Sequence, residues 1–249
     1  MHQFRFYLPP ESINQNPVIM TGADAHHAVN VLRLKAGDLL IIFDGIESEY
    51  SAKILSIKRS ELILSEIKEL RKQKSRKPEI ELYSALMPRF DEIIESATEL
   101  GVSRIFPMLT DRTQIRITPT LLERKLERWK RIAISASMQC DRILLPEISE
   151  PLLFSEALDK ICINRLGFIA NLNERSKTIL DALCDIDQNS SHIAVFIGPP
   201  ADFTSKELDD AKEAGLLSVR LAPNTLRSET AAVSALAVIS SFFYTRSLQ

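Results

Sequence analysis

The sequence predicts an α/β protein of two parts, in which a small β-rich domain precedes a larger parallel sheet covered by helices on both faces. Three observations support this fold class. Short strand patterns fill roughly the first 70 residues. From residue 79 onward, apolar strand patterns alternate with helical ones, as they do in parallel sheets. A basic segment with few strand formers lies between the two parts.

Residues 1–70 are predicted to form a small β-barrel. The predicted strands are Phe4–Tyr7, Asp38–Asp44, Glu49–Ile57 and Glu61–Ile67. A helix is predicted between the first two strands, capped by Asp24 and continuing to Gly37.

Residues 71–78 are predicted to be a basic linker. Six of the ten residues 68–77 are basic and only one is acidic, and Pro78 follows. Two interpretations stay open at this stage. The segment is either a solvated connector or a strip that contacts RNA phosphates.

The second part, residues 79–249, shows the alternation in detail. Strands are predicted at 79–86, 102–108, 165–172, 192–198 and 216–222, and helices at 89–100, 118–140, 176–184, 204–215 and 228–244. Thr204 and Glu207 form a capping box at the start of the fourth helix. The last helix is apolar on nearly every side, which indicates either full burial in a monomer or, slightly favoured, a subunit interface.

Composition excludes several function classes. The net charge of −2 does not indicate a general nucleic-acid binder, so such a role must depend on local patches. The seven glycines form neither a dinucleotide-binding fingerprint nor a Walker A loop. The three cysteines contain no CxxC pair, no metal-ligand set is evident, and no apolar run reaches membrane-spanning length. We therefore expect a cytoplasmic protein.

Candidate ligand-binding loops follow three of the predicted strands. They are Asn171–Asn173, Gly198–Asp202 and Leu221–Arg227. Ligands of open α/β sheets bind beyond the carboxyl ends of the strands, so three such loops together favour a cleft. Arg227 directly precedes a predicted helix N-terminus, a position suited to an anion or a polar ligand edge.

The chain also carries an ordered series of motifs. They are His27-x-x-x-Val31-Leu32-Arg33, Phe43-Asp44-Gly45, Glu99-Leu100-Gly101-Val102, Thr110-x-Arg112-Thr113, Gln139-Cys140-x-Arg142, Ile197-Gly198-Pro199 and Leu226-Arg227-Ser228-Glu229-Thr230-Ala231. In this order and spacing the chain resembles, over essentially its whole length, the RsmE family of bacterial 16S rRNA uridine N3-methyltransferases of the SPOUT class.

This resemblance implies a PUA-like RNA-binding barrel followed by a SPOUT methyltransferase domain with a C-terminal trefoil knot. It implies a homodimer joined through the knotted domains, with S-adenosylmethionine (SAM) as the cofactor. The implied substrate is N3 of one uridine in the 16S rRNA of the small ribosomal subunit. No membrane partner is implied.

The resemblance also assigns residues by position. The cofactor-binding residues would be Leu172, Ile197, Gly198, Pro199, Leu221, Ala222 and Leu226. The catalytic signature would be Arg227, Glu229 and Thr230. The RNA-binding residues would be Arg5, Arg33, Arg112, Arg142, Lys72 and Lys74.

One loop departs from the family pattern. The family usually has Gly-Pro-Glu-Gly-Gly where this chain has Gly198-Pro199-Pro200-Ala201-Asp202. Glycine permits positive φ and close approach of a ligand, whereas proline fixes φ and lacks an N–H. An alternative function therefore stays open, namely a divergent knotted RNA-binding homologue with weak or no methyltransferase activity.

Overall fold

The computed structural model describes residues 4–59, 61–75, 77–115, 117–161, 165–172, 176–185 and 190–247. Arg76 of the predicted linker and Asn173 of the first candidate loop lie outside these residues. The chain divides into two compact units. The first comprises Met1–Ser75 with Ser137–Leu145, and the second comprises Arg76–Ala136 with Pro146–Gln249.

The first unit is built on a five-stranded sheet. Its elements are β1 (Arg5–Tyr7), α1 (Pro10–Ile13), β2 (Val18–Met20), α2 (Gly22–His26), β3 (Leu39–Phe43), β4 (Ser48–Lys58) and β5 (Glu61–Lys72). The hydrogen-bonded order is β1-β3-β4-β5-β2, with β1 and β3 parallel and the other pairs antiparallel. Alternate apolar side chains of these strands, such as Leu40, Ile42 and Leu62, form the core of the unit.

Local elements of this unit differ from the sequence prediction. The helix predicted to continue to Gly37 ends at His26 and passes into a π-helical turn, His27–Val31. Arg33 then adopts φ +57°, and the Leu34 N–H donates to the Ala28 carbonyl, which closes the turn. Thr21, rather than Asp24, occupies the N-cap position.

The boundaries of the first unit also differ from the prediction. Strand β5 continues through Lys72, two residues into the segment predicted as a linker. The segment Ser137–Leu145, predicted in the second domain, belongs to the first unit. Its backbone is tied there by the Leu145 N–H, which donates to the Gly45 carbonyl at 2.9 Å, and by the Ile143 N–H, which donates to Gln73 Oε1 at 2.9 Å.

The second unit is a parallel sheet flanked by helices, as predicted. Its elements are β6 (Glu79–Ala85), α3 (Phe90–Glu99), β7 (Arg104–Leu109), α4 (Pro119–Gln139), β8 (Glu147–Ile148), β9 (Leu152–Leu153), α5 (Phe154–Asp159), β10 (Arg165–Ala170), β11 (Lys177–Thr178), α6 (Ile179–Cys184), β12 (His192–Ile197), α7 (Ser205–Glu213), β13 (Leu217–Arg220) and α8 (Ser228–Ser247). The strand order is β11-β13-β10-β12-β6-β7-β8, with β9 paired to β7. Every pairing recorded is parallel.

Two hydrophobic cores lie on the two faces of this sheet, because successive strand residues point to opposite sides. Leu82 and Val195 belong to a core shared with residues of α3, α6 and α8. Tyr83 and Phe196 belong to a second core with residues of α5 and α7, where their rings stack at 4.5 Å. The prediction of helices on both faces is therefore confirmed.

The capping box of α7 is also confirmed. The Glu207 N–H donates to Thr204 Oγ1 at 3.2 Å, and the Thr204 N–H donates to Glu207 Oε2 at 2.8 Å. These two bonds satisfy amides that the first helical turn cannot pair internally. The helix therefore starts at a fixed point directly after the loop that follows β12.

Helix α8 buries one side in the chain and leaves part of the other side exposed. Ala232, Leu236 and Ile239 are buried, whereas Val233 and Tyr244 are exposed. Full burial in a monomer was thus wrong, and the subunit interface stays a prediction, as does the trefoil knot. None of the described helices is long and apolar enough to cross a membrane.

Candidate functional site

A cavity of about 660 Å³ lies at the carboxyl edge of the parallel sheet. It is lined by residues that follow four neighbouring strands, β13, β10, β12 and β6. The lining segments are Met87–Arg89, Ala170–Leu172, Ile197–Pro200 with Asp202, and Arg220–Glu229 with Ala231. Its size falls within the usual range of small-molecule sites, about 300–1,000 Å³.

The residues predicted to bind a cofactor come together in this cavity. Leu172, Ile197, Gly198, Pro199, Leu221, Ala222 and Leu226 all line it. Arg227 and Glu229 line it as well, whereas Thr230 is exposed and does not. Successive helix residues differ by about 100° in direction, so Thr230 lies on another side of the first turn of α8 than Glu229.

Arg227 occupies the N-cap position of α8, directly before the first helical residue. The Ala231 N–H donates to the Arg227 carbonyl at 2.8 Å, which is the first hydrogen bond of the helix. Ser228 is buried, whereas the Arg227 side chain is exposed at the cavity. A cation therefore lies beside the free amides of a helix N-terminus, which favours an anionic or polar ligand edge there.

The substituted loop after β12 forms a regular turn. The Asp202 N–H donates to the Pro199 carbonyl at 2.8 Å, which places Pro200 at the second position of a four-residue turn. Proline is favoured at that position, and the N–H it lacks is not needed for the turn bond. The loop therefore closes despite Pro200.

Asp202 occupies the left-handed conformation that the family pattern assigns to glycine. Its φ is +62°, and its Oδ1 accepts the Phe203 N–H at 2.8 Å. Aspartate tolerates this region better than most residues because its short side chain can bond the local backbone. The substitution is thus compatible with the turn.

Gly198 lies against a buried ring. A Cβ at this position would lie 3.0 Å from Phe203 Cε2 and 3.1 Å from Phe203 Cδ2. Phe203 is 3% exposed and packs against Phe154 with their ring centroids 5.4 Å apart. Glycine therefore lets the end of β12 pass close to Phe203 while its backbone faces the cavity.

An ion pair at the cavity was not found from the sequence. Arg89 Nη1 lies 2.9 Å from Glu229 Oε1, and the side chain of Glu229 is only 19% exposed. Glu92 holds the rest of the Arg89 guanidinium through two contacts, at 2.8 Å to Nε and 2.7 Å to Nη2. The hydrogen bond to Glu92 also raises the pKa of Arg89. The missing information was that α3 packs against α8.

Arg5 is committed to the interior of the first unit. Its guanidinium donates to Glu49 Oε2 at 2.7 Å, to the Ser137 carbonyl at 2.6 Å and to the Arg142 carbonyl at 2.8 Å. It also lies 3.9 Å from the ring centroid of Phe43. The structure does not support the role predicted for Arg5 on an RNA surface.

The other residues predicted to bind RNA differ in availability. Arg142 is half-buried, and this burial lowers the pKa of its guanidinium to about 10. Lys72 pairs with Glu47 at 2.9 Å, and this hydrogen bond raises the pKa of Lys72. Lys74 and Arg33 are exposed. Arg112 is exposed but donates to carbonyls of the loop after β12.

Comparison with known proteins agrees with this geometry. A family model described as an RNA methyltransferase domain matches residues 74–240, and one described as an RNA methyltransferase PUA domain matches residues 20–67. The first match covers the cavity-lining segments. A ribosomal RNA small subunit methyltransferase E from Rickettsia conorii is 31% identical, over 86% of this chain and 85% of its own. The chain belongs to the ribosomal RNA small subunit methyltransferase E family.

Two solved structures resemble the whole chain. A putative methyltransferase from Legionella pneumophila, in complex with bound SAM, has a TM-score of 0.84 at 28% identity and covers 97% of this chain and 98% of its own. A ribosomal RNA small subunit methyltransferase E from Neisseria gonorrhoeae, bound to S-adenosyl methionine, has a TM-score of 0.82 at 29% identity with the same coverage. The two-part fold is therefore that of this methyltransferase E family.

Proposed function

We propose that this protein transfers a methyl group from SAM to N3 of a uridine in 16S rRNA. One observation carries the proposal. All seven residues expected at the cofactor line a single cavity, and Arg227 and Glu229 of the expected signature line it too. Family membership and relatives solved with SAM support the same activity.

The residues present fit this cofactor. Leu172, Ile197, Leu221 and Leu226 offer apolar contacts for a flat ring, and the strand ends offer backbone polar groups. The backbone of Gly198 lines the cavity. A side chain at this position would lie too close to Phe203. SAM brings an already activated methyl group, so the protein contributes mainly alignment.

Arg227 and the helix N-terminus behind it are suited to the substrate. The N3–H of uridine must lose its proton before or during methyl transfer, and negative charge then develops on the adjacent carbonyl oxygens. The exposed Arg227 guanidinium beside the cavity can stabilise that charge. Arg89 holds Glu229 in place on the first turn of the same helix.

The proposal extends to assembly and location. The exposed part of α8, including Val233 and Tyr244, is proposed as part of a homodimer interface between methyltransferase domains. Lys74 and Arg33 are proposed to contact rRNA phosphates, because both are exposed cations. The substrate places the enzyme in the cytoplasm with the small ribosomal subunit.

Two measurements test the proposal. Calorimetric titration with SAM is expected to show micromolar binding, and incubation of small subunits with labelled SAM is expected to yield N3-methyluridine by mass spectrometry. Arg227→Ala should abolish transfer with an unchanged melting temperature, whereas Lys212→Ala, on an exposed part of α7, should transfer normally. Absence of SAM binding by the folded protein, together with RNA binding, would instead support the RNA-binding alternative.

A further inference from the structure

We infer that Arg112 is a positioning residue that holds the loop after β12, residues 199–203, in its cofactor-binding shape. The inference rests on the proposed function, since this loop lines the cavity. It also replaces the expectation that Arg112 faces RNA. Hydrogen bonds join the turn after β7 to this loop, and both segments lie within the second unit.

The guanidinium of Arg112 bonds to three consecutive carbonyls. Its Nη1 lies 2.5 Å from the carbonyl oxygen of Ala201, 3.4 Å from that of Asp202 and 3.3 Å from that of Phe203. Ala201 and Asp202 are the last two residues of the turn closed by Pro199 and Asp202, and Phe203 follows it. A charged donor makes stronger hydrogen bonds than a neutral one, so this contact fixes the outgoing side of the loop.

A second hydrogen bond joins the turn after β7 to the segment that follows β12. The Asp111 N–H donates to Glu207 Oε1 at 3.0 Å, and Glu207 is only 4% exposed. The other oxygen of this carboxylate accepts the Thr204 N–H in the capping box of α7. The turn after β7 therefore binds the loop at Ala201–Phe203 through Arg112. It also binds the start of α7 through Asp111, because Glu207 bonds to both Asp111 and Thr204.

The turn after β7, residues 110–113, is stabilised by its own hydrogen bonds. The Thr110 N–H donates to Thr113 Oγ1 at 2.9 Å, the two threonine hydroxyls lie 2.9 Å apart, and the Thr113 N–H donates to the Thr110 carbonyl at 3.0 Å. Asp111 and Arg112 thus extend from a closed four-residue turn. Such a turn can hold a neighbouring loop because it loses little freedom in doing so.

The consequence reaches the cavity through Phe203. Its carbonyl is held by Arg112, and its ring fills the space that a Cβ on Gly198 would occupy. Release of the carbonyls would free Asp202 and Phe203 to shift toward Gly198, whose backbone lines the cavity. Lysine carries the same charge on a shorter side chain, so it should replace the arginine only in part.

The test uses SAM binding and RNA binding of the intact protein. For Arg112→Gln we expect the Kd for SAM to rise about tenfold, equivalent to about 1.4 kcal/mol. Arg112→Lys should lie between this variant and the wild type. Arg124→Gln, which removes an exposed arginine of α4, should leave the Kd for SAM unchanged.

The same variants separate the inference from an RNA contact. If Arg112 instead contacts a phosphate, Arg112→Gln should reduce the slope of log K against log salt concentration for binding to a 16S rRNA transcript by about one. The Kd for SAM would then stay the same. That result would overturn the inference. An unchanged salt dependence combined with weaker SAM binding supports it.

A measurement without cofactor keeps the inference distinct from the proposed function. Amide hydrogen exchange at Asp202 and Phe203 in the cofactor-free protein should be faster in Arg112→Gln than in the wild type, with equal exchange in the strand β6. If wild-type protein fails to bind SAM, the proposed function fails, whereas the exchange result still decides whether Arg112 holds the loop. Equal exchange in both proteins would refute the inference.

Discussion

Replacement of Gly198 by alanine should distort the cavity, because the added Cβ would press against the buried ring of Phe203. The added Cβ would lie 3.0 and 3.1 Å from two ring carbons of Phe203 and 3.4 Å from the Phe203 nitrogen. Ordinary carbon contacts are about 3.5–4.0 Å, so the ring or the strand end must move by a few tenths of an ångström. Phe203 cannot rotate into solvent because it is buried against Phe154.

Overpacking of this kind costs about 1–3 kcal/mol. For domains of 150–250 residues, each kcal/mol lowers the melting temperature by about 2–4 °C, so Gly198→Ala should lower it by roughly 2–12 °C. The displaced loop should also weaken SAM binding. Thermal unfolding followed by calorimetric titration with SAM, below the melting temperature of the variant, measures both effects.

Gly167→Ala is a matched control. A Cβ there would also meet a buried side chain at 3.0 Å, the Cγ of Leu216, but Gly167 does not line the cavity. We expect it to lower the melting temperature without changing the Kd for SAM. In the Gly198→Ala variant, a second change of Phe203→Leu should restore part of the binding because it removes ring atoms. Equal Kd values for the two alanine variants would refute the assignment of Gly198 to the cofactor site.

Three further perturbations have defined outcomes. Asp202→Gly should change the free energy of unfolding by less than about 1 kcal/mol in urea, because glycine also accepts φ +62°, whereas Asp202→Val should destabilise more. Burial would raise the pKa of Glu49, but hydrogen bonds from Arg71 and Arg5 and their charges hold it below the usual 4.5. The stabilisation is therefore complete above that value and is lost as the pH falls through the lower pKa of the folded state. Glu49→Gln should cost on the order of 3 kcal/mol at pH 7, and the cost should shrink steadily as the pH falls below 4.5, as a series of urea titrations would show. Lys74→Gln should lower the salt slope of rRNA binding by about one charge, and Lys72→Gln should lower it less, because Lys72 pairs with Glu47.

Local features were predictable because they depend on neighbours in sequence. Thr204 and Glu207 form the capping box of α7, and a proline is the first residue of α4. Both helix-start signals involve only residues within one helical turn. The cavity was predictable for a related reason. The carboxyl ends of parallel strands lie on one edge of a sheet, so the loops after such strands all lie on that edge.

Other features depend on contacts that no local pattern encodes. Arg5 bonds to the Ser137 carbonyl across 132 positions of chain, and this contact turns an apparent surface cation into a buried one. Arg89 meets Glu229 because α3 packs against α8, a contact between segments far apart in the chain. An exposed arginine such as Arg112 has the same sequence signal whether it faces phosphates or backbone carbonyls.

The return of Ser137–Leu145 to the first unit bears on how the nascent chain folds. When Ser75 has left the ribosome, Arg5 still lacks the two carbonyls that it binds in the finished protein, and Gly45 lacks the Leu145 amide. About 70 further residues must be added before these groups arrive, which takes about 4–14 s at 5–20 residues per second. The first unit therefore completes its packing only after residues 76–136 of the second unit have been synthesised. For the same reason, a fragment that ends at Ser75 should be a poor substitute for this unit in isolation.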